Sequence, residues 1–203
     1  MVSYPMLYRG GYWYEIFSSS RGSYRPLRRA GGDETPKRSA PHRPDMSDDA
    51  AAREGRFLVT HADEGSAVLK DVDCGQVHTL ADNPGIEAGD VLEGVVEPEP
   101  PMEVAYTLVE VETRRHLIVE ESREPPTAQE REIAADQPDG EVTRQERAGT
   151  GELHVLTVPD EETEAAVADV LEDEATLVRA ARLGVERVEV RSEPGVVSVR
   201  YLP

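Results

Sequence analysis

The chain between residues 56 and 121 shows short runs in which apolar and polar residues alternate. A period of two is typical of strands that bury one face, and turn residues such as Asp63-Glu64-Gly65 separate the runs. The pattern predicts strands at 56–61, 67–72, 76–80 and 91–96, and a last hairpin in which 104–111 pairs with 116–120. Five or six short strands without a long helix to cover a flat sheet favour closure into a small barrel.

Parts of residues 125–203 show a helical hydrophobic period instead. Thr127 and Glu130 have the spacing of a capping box, which predicts a helix that ends near Ala135. Thr143 and Glu146 repeat this spacing, so the pattern predicts a second short turn of helix there.

A strand is predicted at 153–158, and Asp160 is predicted to N-cap a helix whose apolar stripe breaks near Asp173. Gly184 is predicted to end this helical region. Two strands, at 185–191 and 197–201, are predicted to follow, and Pro194-Gly195 has the composition of a type II turn between them. The order of these elements is that of a β-α-β-β module.

These predictions combine into an α+β fold in which a small N-terminal antiparallel β-barrel precedes the β-α-β-β module. We divide the chain into a disordered extension at 1–45, the barrel at 46–124 and the α+β module at 125–203. The pattern leaves open whether the barrel and the module share one hydrophobic core.

Charge is distributed unevenly between the extension and the remaining chain. Residues 1–45 carry 8 basic and 4 acidic side chains, or +4, whereas the other 158 residues carry 14 basic and 37 acidic ones, or −23. Self-repulsion on this scale is weakened by molar salt, where the Debye length is about 3 Å. The chain also has only two lysines, Lys37 and Lys70. We therefore interpret it as the acidic protein of a salt-adapted, halophilic organism.

The extension at 1–45 is rich in Gly, Ser, Pro and Arg and has no sustained period, which predicts disorder. One explanation is a basic arm in which Trp13 and the tyrosines stack on nucleic-acid bases. The other is that translation starts at Met46, where the composition changes. We favour the mistaken start over the basic arm.

Cysteine usage, hydropathy and motifs narrow the functional classes. The single cysteine, Cys74, excludes an internal disulfide, and no apolar run approaches the roughly 18 residues of a membrane-spanning helix. We therefore predict a soluble, cytoplasmic protein without a membrane partner. The sequence contains no G-x-S-x-G motif, P-loop or H-E-x-x-H motif, and no two histidines stand two apart on one strand. No catalytic residue, metal site or cofactor is predicted.

The segment at 84–95 has a Pro-Gly turn, then Gly89-Asp90, then a predicted strand. It resembles the turn-then-strand segment of small RNA-binding barrels of the TRAM and oligonucleotide-binding (OB) kinds. That resemblance implies RNA as a ligand. The candidates for an RNA-facing surface are the basic residues Arg56, Lys70, His78, Arg114, Arg115 and His116. The alternative is that these cations pair with neighbouring carboxylates.

A longer resemblance covers residues 55–203. The segments that carry it are FLVTHADEGSAVLKDV, GQVHTLADNPGIEAGDVLEGVV, TAQEREIAADQ, GELHVLTVP and ARLGVERVEVRSEPGVVSVRYLP. They resemble a haloarchaeal protein family of unknown function. The resemblance supports salt adaptation and a start near Met46, and it implies no activity or ligand.

Our functional hypothesis is a non-enzymatic binding or adaptor protein, with RNA as the first ligand to test and a protein partner as the next. One alternative is an uncharacterised enzyme, which requires a concave pocket where His61, His78 or carboxylates converge. The other is a structural subunit of a protein complex, which requires an exposed apolar patch.

Overall fold

The computed structural model describes residues 52–101 and 104–203, together with two strands near the start of the chain. These strands, β1 (Met6–Arg9) and β2 (Tyr12–Glu15), pair as an antiparallel hairpin. They fall within 1–45, the segment predicted to be a disordered extension. The remainder of that predicted extension lies outside the described residues.

Five strands close into a barrel: β3 (Arg53–Ala62), β4 (Ala67–Asp71), β5 (Val77–Leu80), β6 (Asp90–Pro98) and β7 (Tyr106–His116). Their order around the barrel is β3-β4-β5-β7-β6, and β6 pairs with β3 to complete the circle. Phe57, Leu69 and Leu92 are among the fully buried side chains that fill the interior. The predicted closed barrel is confirmed. The prediction that it is antiparallel is wrong at one seam, because β5 and β7 run parallel there.

The predicted hairpin between 104–111 and 116–120 does not form. Residues 112–115 remain extended because they continue the pairing of β7 with β6, through Thr113 opposite Glu93 and Arg115 opposite Val91. The chain leaves the barrel at the buried Leu117, and β8 (Ile118–Glu121) pairs in parallel with β11 (Arg187–Glu193). A strand that the sequence pattern assigned to the barrel therefore belongs to a second sheet.

The second sheet has the strand order β8-β11-β12-β10-β9. Its other members are β9 (Val142–Glu146), β10 (Glu152–Thr157) and β12 (Val196–Leu202), and β10 runs antiparallel to both β9 and β12. Residues 143–146 were predicted to form a helical turn, and this is wrong. Thr143 pairs with Val155 of β10, so pairing with a neighbouring strand overrides the local capping-box spacing.

Helices cover both faces of this sheet. On one face, α1 (Ala128–Ala135) packs through Ala134 against Val155 and Val196. On the other face, α2 (Thr163–Glu172) and α3 (Glu174–Leu183) pack over Leu156 and Val199. Val155 and Leu156 are adjacent on β10, and successive side chains of a strand point to opposite faces. Alternation along β10 therefore supplies both cores.

Local capping predictions hold at most helix ends. Thr127 and Glu130 form the predicted capping box at the start of α1. A carboxylate oxygen of Asp173 accepts a hydrogen bond from the backbone N–H of Ala175 at 3.0 Å, which separates α2 from α3 at the predicted break. Gly184 ends α3 with φ of 71°, a left-handed conformation that glycine adopts without strain.

The prediction of Asp160 as a helix N-cap is wrong. Asp160 lies inside a short 3-10 turn, Asp160–Glu162, and α2 begins only at Thr163. The hydroxyl of Thr163 donates to the backbone carbonyl of Asp160 at 3.0 Å, which ties the 3-10 turn to the first turn of α2.

The barrel and the second sheet share one hydrophobic core. Leu58, Val72 and Val91 lie on the outside of the barrel, are fully buried, and belong to the same cluster as the residues beneath α2 and α3. In β3 the neighbouring Phe57 points into the barrel while Leu58 points away from it. The barrel wall therefore contacts two hydrophobic cores: the barrel interior on one side, and on the other side the core that it shares with the second sheet. The two halves predicted from the sequence form one packed unit.

Candidate functional site

Three of the six predicted RNA-facing residues lie at the junction between the barrel and α3. The guanidinium of Arg115 donates to the carbonyl of Ala181 at 3.0 Å, and that of Arg56 donates to the carbonyl of Arg182 at 3.2 Å. These are backbone carbonyls of the last turn of α3, where the helix dipole favours positive charge. The ammonium of Lys70 lies 2.5 Å from the carboxylate of Glu174 at the other end of the helix. These side chains hold α3 against the barrel.

Arg114 and His116 lie at one end of the barrel, beside the buried carboxylate of Asp90. The guanidinium of Arg114 is 2.7 Å from that carboxylate, and Nδ1 of His116 is 3.0 Å from it. Asp90 also accepts the backbone N–H of Glu87 at 2.9 Å, and Arg114 donates to the carbonyl of Gly85 at 2.9 Å. The segment at 84–90 is thus organised around Asp90, and both Arg114 and His116 contact that carboxylate.

His78 is fully buried inside the barrel. Its ring makes edge contacts with the rings of Phe57 and Tyr106, with centroids 5.7 and 4.5 Å away. Burial lowers the pKa of His78, and the Arg53 charge adds to that shift. A neutral ring within an apolar interior presents nothing to a phosphate, so His78 has no place on a surface for RNA.

The six predicted residues therefore do not converge on one surface. Arg114 and Arg115 are neighbours on β7, and their guanidinium groups contact opposite sides of it, the Asp90 turn and α3. This separation follows from the alternation of side chains along a strand. The carboxylate of Glu93 also lies 3.2 Å from Arg56 and 3.8 Å from Arg115. Five of the six residues thus lie beside a carboxylate, as the pairing alternative describes, while His78 is a core residue.

A pocket of about 400 Å³ lies between the second sheet and α3. Its walls come from β9, β10, β12, α2 and α3. The lining residues are Val142, Arg144, His154, Leu156, Val170, Asp173, Ala175, Thr176, Val178, Arg179, Arg182, Val199 and Tyr201. Apolar walls with a few polar groups are typical of small-molecule sites, which makes this pocket the candidate functional site.

Strand register divides the pocket into two ends. In the pairing of β9 with β10, Val142 lies opposite Leu156, and Arg144 lies opposite His154. Cross-strand partners point to the same face, so the first pair forms an apolar end and the second a polar end. Val170 of α2 extends the apolar end, and Tyr201 of β12 stands next to His154 with ring centroids 4.9 Å apart.

A buried ion pair supports the polar end from behind. The carboxylate of Glu152 lies 2.9 Å from Nε2 of His154 and accepts two hydrogen bonds from the guanidinium of Arg179, the one from Nε being 3.0 Å long. The hydrogen bond from His154 and the contact with Arg179 lower the pKa of Glu152 to about 2, although burial opposes the shift. Glu152 is therefore ionised at neutral pH.

The state of His154 follows from these contacts. Burial lowers its pKa, and the charge on Arg144 acts in the same direction, against the opposing hydrogen bond to Glu152. A neutral imidazole carries one N–H, and a carboxylate can only accept, so Nε2 donates to Glu152. Nδ1 of His154 is then left as a hydrogen-bond acceptor at the polar end of the pocket.

Tyr201 completes the polar end. Burial raises the pKa of its hydroxyl to about 12, in spite of a hydrogen bond with Thr176. The hydroxyl therefore remains protonated and neutral at physiological pH. Thr176 in turn contacts the carboxylate of Asp173 at 3.4 Å, so the α3 wall is tied to its own N-cap.

Sequence reasoning missed this pocket, although part of its signal was present. Glu152 and His154 stand two apart on a predicted strand, which places both side chains on one face. The sequence criterion applied above, two histidines two residues apart on a strand, does not include a glutamate paired with a histidine. Arg179 and Tyr201 carry no local signal, because sheet pairing and helix packing bring them to this face from distant parts of the chain.

Within residues 52–101 and 104–203 there is no group of three or more His, Cys, Asp or Glu side chains placed to hold a metal ion. None of the helices α1 to α3 has the length and apolar character needed to cross a membrane.

The fold and the pocket define an α+β protein in which a closed five-stranded barrel packs against a helix-covered five-stranded sheet. The chain belongs to a family of unknown function (DUF5812), whose model matches residues 53–192. This match spans the barrel and most of the second sheet, in agreement with their shared core. No curated protein and no solved structure matches the chain.

Proposed function

We propose that this protein is a binding protein and that the pocket beneath α3 holds a small molecule. The observation that carries the proposal is the pocket itself, in which an apolar end and a polar end face the same space of about 400 Å³. Pockets of this size and lining bury most of the surface of a small ligand.

The side chains at the polar end are held in place by contacts with one another, and this rigidity supports ligand binding. Glu152 is held by His154 and Arg179 together, and the side chain of Glu152 is only 12% exposed. Side chains fixed in this way lose little conformational freedom when a ligand arrives, which lowers the cost of binding. The rigid Glu152–His154 pair fixes the direction of the acceptor at Nδ1.

Filling the pocket tests this proposal. The full chain, equilibrated with the small-molecule fraction of a cell extract, is recovered by gel filtration and its released compounds are analysed by mass spectrometry. We expect a compound that is retained by the wild type and lost from Val178→Trp, because Val178 lines the pocket. Val109→Trp is the matched control, since Val109 is 49% exposed on the barrel. Retention that Val178→Trp leaves unchanged, or no retained compound, would contradict the proposal.

RNA is the second candidate ligand, and the strand order favours it. β6 lies beside β3, which is followed by β4 and β5, so these four strands have the Greek-key order. Five-stranded Greek-key barrels are the architecture of OB folds, many of which bind oligonucleotides. The side chains of Arg114 and His116 are 42% and 53% exposed at one end of the barrel, and they are the remaining candidates for phosphate contacts.

Fluorescence anisotropy with a short, mixed-sequence, single-stranded RNA tests this candidate. We expect Arg114→Gln to weaken binding by about tenfold, the cost of one charged phosphate contact. Arg131→Gln on α1 removes the same charge from a residue remote from the barrel end and should leave the affinity unchanged. An unchanged affinity in Arg114→Gln, or no binding by the wild type, would rule out RNA at this end of the barrel.

We also propose that the protein works in the cytoplasm of a salt-accumulating, haloarchaeal organism. The charge of −23 after residue 45 supports this proposal, because such a charge opposes folding where salt is dilute. The resemblance of residues 55–203 to a haloarchaeal family supports it as well. The salt dependence of stability is the test.

A further inference from the structure

We infer, building on the proposed pocket, that its ligand is an organic anion with an apolar body. The negative group would face Arg144 and Arg179 at the polar end, and the apolar body would lie against Val142, Leu156 and Val170. The inference concerns the class of ligand and therefore rests on the pocket being a binding site.

The charge of the pocket points to an anion. Among the residues that the structure describes, three arginines line it, Asp173 is the one carboxylate of the lining and Glu152 lies behind them, which gives 3 − 2 = +1 with His154 neutral. The chain as a whole carries −19. A locally positive pocket in so acidic a protein concentrates anions and disfavours cations.

The carboxylates at the pocket are already engaged. Asp173 accepts from the backbone N–H of Ala175 and contacts the hydroxyl of Thr176, and Glu152 is paired with His154 and Arg179. A cationic ligand would have to compete with these contacts. The arginines are engaged as well, Arg179 with Glu152 and Arg182 with the carbonyl of Val72, but a guanidinium has five N–H groups and can add an anion to such contacts.

Arg179 retains donors for a ligand. Its Nε–H and one N–H of Nη2 are directed at Glu152, and a guanidinium carries five N–H groups, so three are not used by that pair. Arg144 lies across from His154 on the neighbouring strand. A carboxylate or phosphate between these arginines would form charge-assisted hydrogen bonds, which are roughly twice as strong as neutral ones.

Nδ1 of His154 adds selectivity. It requires a donor from the ligand, whereas the Tyr201 hydroxyl proton is engaged with Thr176, whose own proton is directed at Asp173. An anion with a hydroxyl or N–H close to its charged group would satisfy Nδ1. The apolar end, lined by branched aliphatic side chains, would exclude water from the other side of the ligand.

Three probes with one ring and different charges test the inference: benzoate, benzyl alcohol and benzylamine. Each is titrated into the full chain at one fixed salt concentration, and binding is followed by the NMR shifts of β10 amides. We expect benzoate to bind at least about tenfold more tightly than benzyl alcohol, and benzylamine to bind most weakly.

Two variants locate the effect. Arg144→Gln removes a pocket charge from an exposed strand position and is expected to weaken benzoate by about tenfold with little change for benzyl alcohol. Arg131→Gln makes the same charge change on α1, on the opposite face of the sheet, and should have no effect. Loss of benzoate binding in Arg144→Gln alone would support the inference.

The results separate this inference from the proposed function. Equal affinities for benzoate and benzyl alcohol, both abolished by Val178→Trp, would overturn the anion inference while the pocket remains a binding site. The same follows if benzylamine binds best or if Arg144→Gln leaves benzoate unchanged. Absence of benzoate binding also overturns it, and the extract experiment then decides independently whether the pocket binds any compound.

Discussion

Dilution from molar salt to about 0.1 M is expected to unfold the protein, because the Debye length grows from about 3 Å to about 10 Å. The acidic groups after residue 45 outnumber the basic ones by 23, and arginines such as Arg56, Arg115 and Arg179 already have carboxylate or carbonyl partners. Repulsion among the remaining carboxylates is then unscreened. Circular dichroism during stepwise dilution measures the transition, and an unchanged melting temperature across this range would contradict salt adaptation.

A charge-reduced variant separates screening from other effects of salt. Glu64, Glu110 and Glu112 are exposed, and changing all three to Gln reduces the negative charge after residue 45 by three. We expect this variant to unfold at a lower salt concentration than the wild type. Strengthened burial of apolar groups is a separate action of salt, and it would shift wild type and variant equally. Coincident midpoints would therefore assign the salt dependence to burial rather than to charge.

Replacing Leu58 with alanine is expected to destabilise the barrel and the second sheet together, by about 2–5 kcal/mol. Leu58 is fully buried and packs with residues of the second sheet, α2 and α3. Its loss leaves a cavity in the one core that both halves share. Denaturant unfolding measures the loss in the free energy of unfolding. Amide hydrogen exchange shows which strands are destabilised, and we expect exchange in β4 and in β12 to accelerate to the same extent.

Two further substitutions act as controls. Leu69→Ala removes an equally buried leucine from the interior of the barrel, and in a single cooperative unit it also accelerates exchange in β12. Val77→Ala alters a side chain that is 56% exposed and should change stability by less than about 0.5 kcal/mol. Two separate transitions, with β12 unaffected by Leu69→Ala, would show that the halves unfold independently.

Interactions between residues close in the sequence determine much of the local structure, and they could be predicted from the sequence. The capping box of Thr127 and Glu130, the break at Asp173 and the left-handed end at Gly184 were predicted and are confirmed. Each depends on a side chain that bonds its own backbone, or on the freedom of glycine, and neither needs a distant partner. The alternation of apolar residues likewise predicted most strands and the closed barrel.

Contacts between distant segments decided the rest. The residues of β8 could extend a barrel hairpin or join another sheet, and only pairing with β11 chose between these outcomes. The capping-box spacing at 143–146 was overridden by pairing with β10. Pairing with β6 kept Arg114 and Arg115 in an extended strand, and alternation along that strand directs their side chains to opposite sides.

The candidate pocket also combines residues that could be predicted from the sequence with residues that only the tertiary structure brings together. The spacing of Glu152 and His154 was visible in the sequence, because a strand places residues two apart on one face. Their partners Arg179 and Tyr201 come from α3 and β12, 25 or more residues along the chain from either. The sequence by itself determined the local elements and the acid excess, since both depend on neighbouring residues or on composition. Only the tertiary structure decided the pocket and its charge, because packing of α3 over the sheet brings those side chains together.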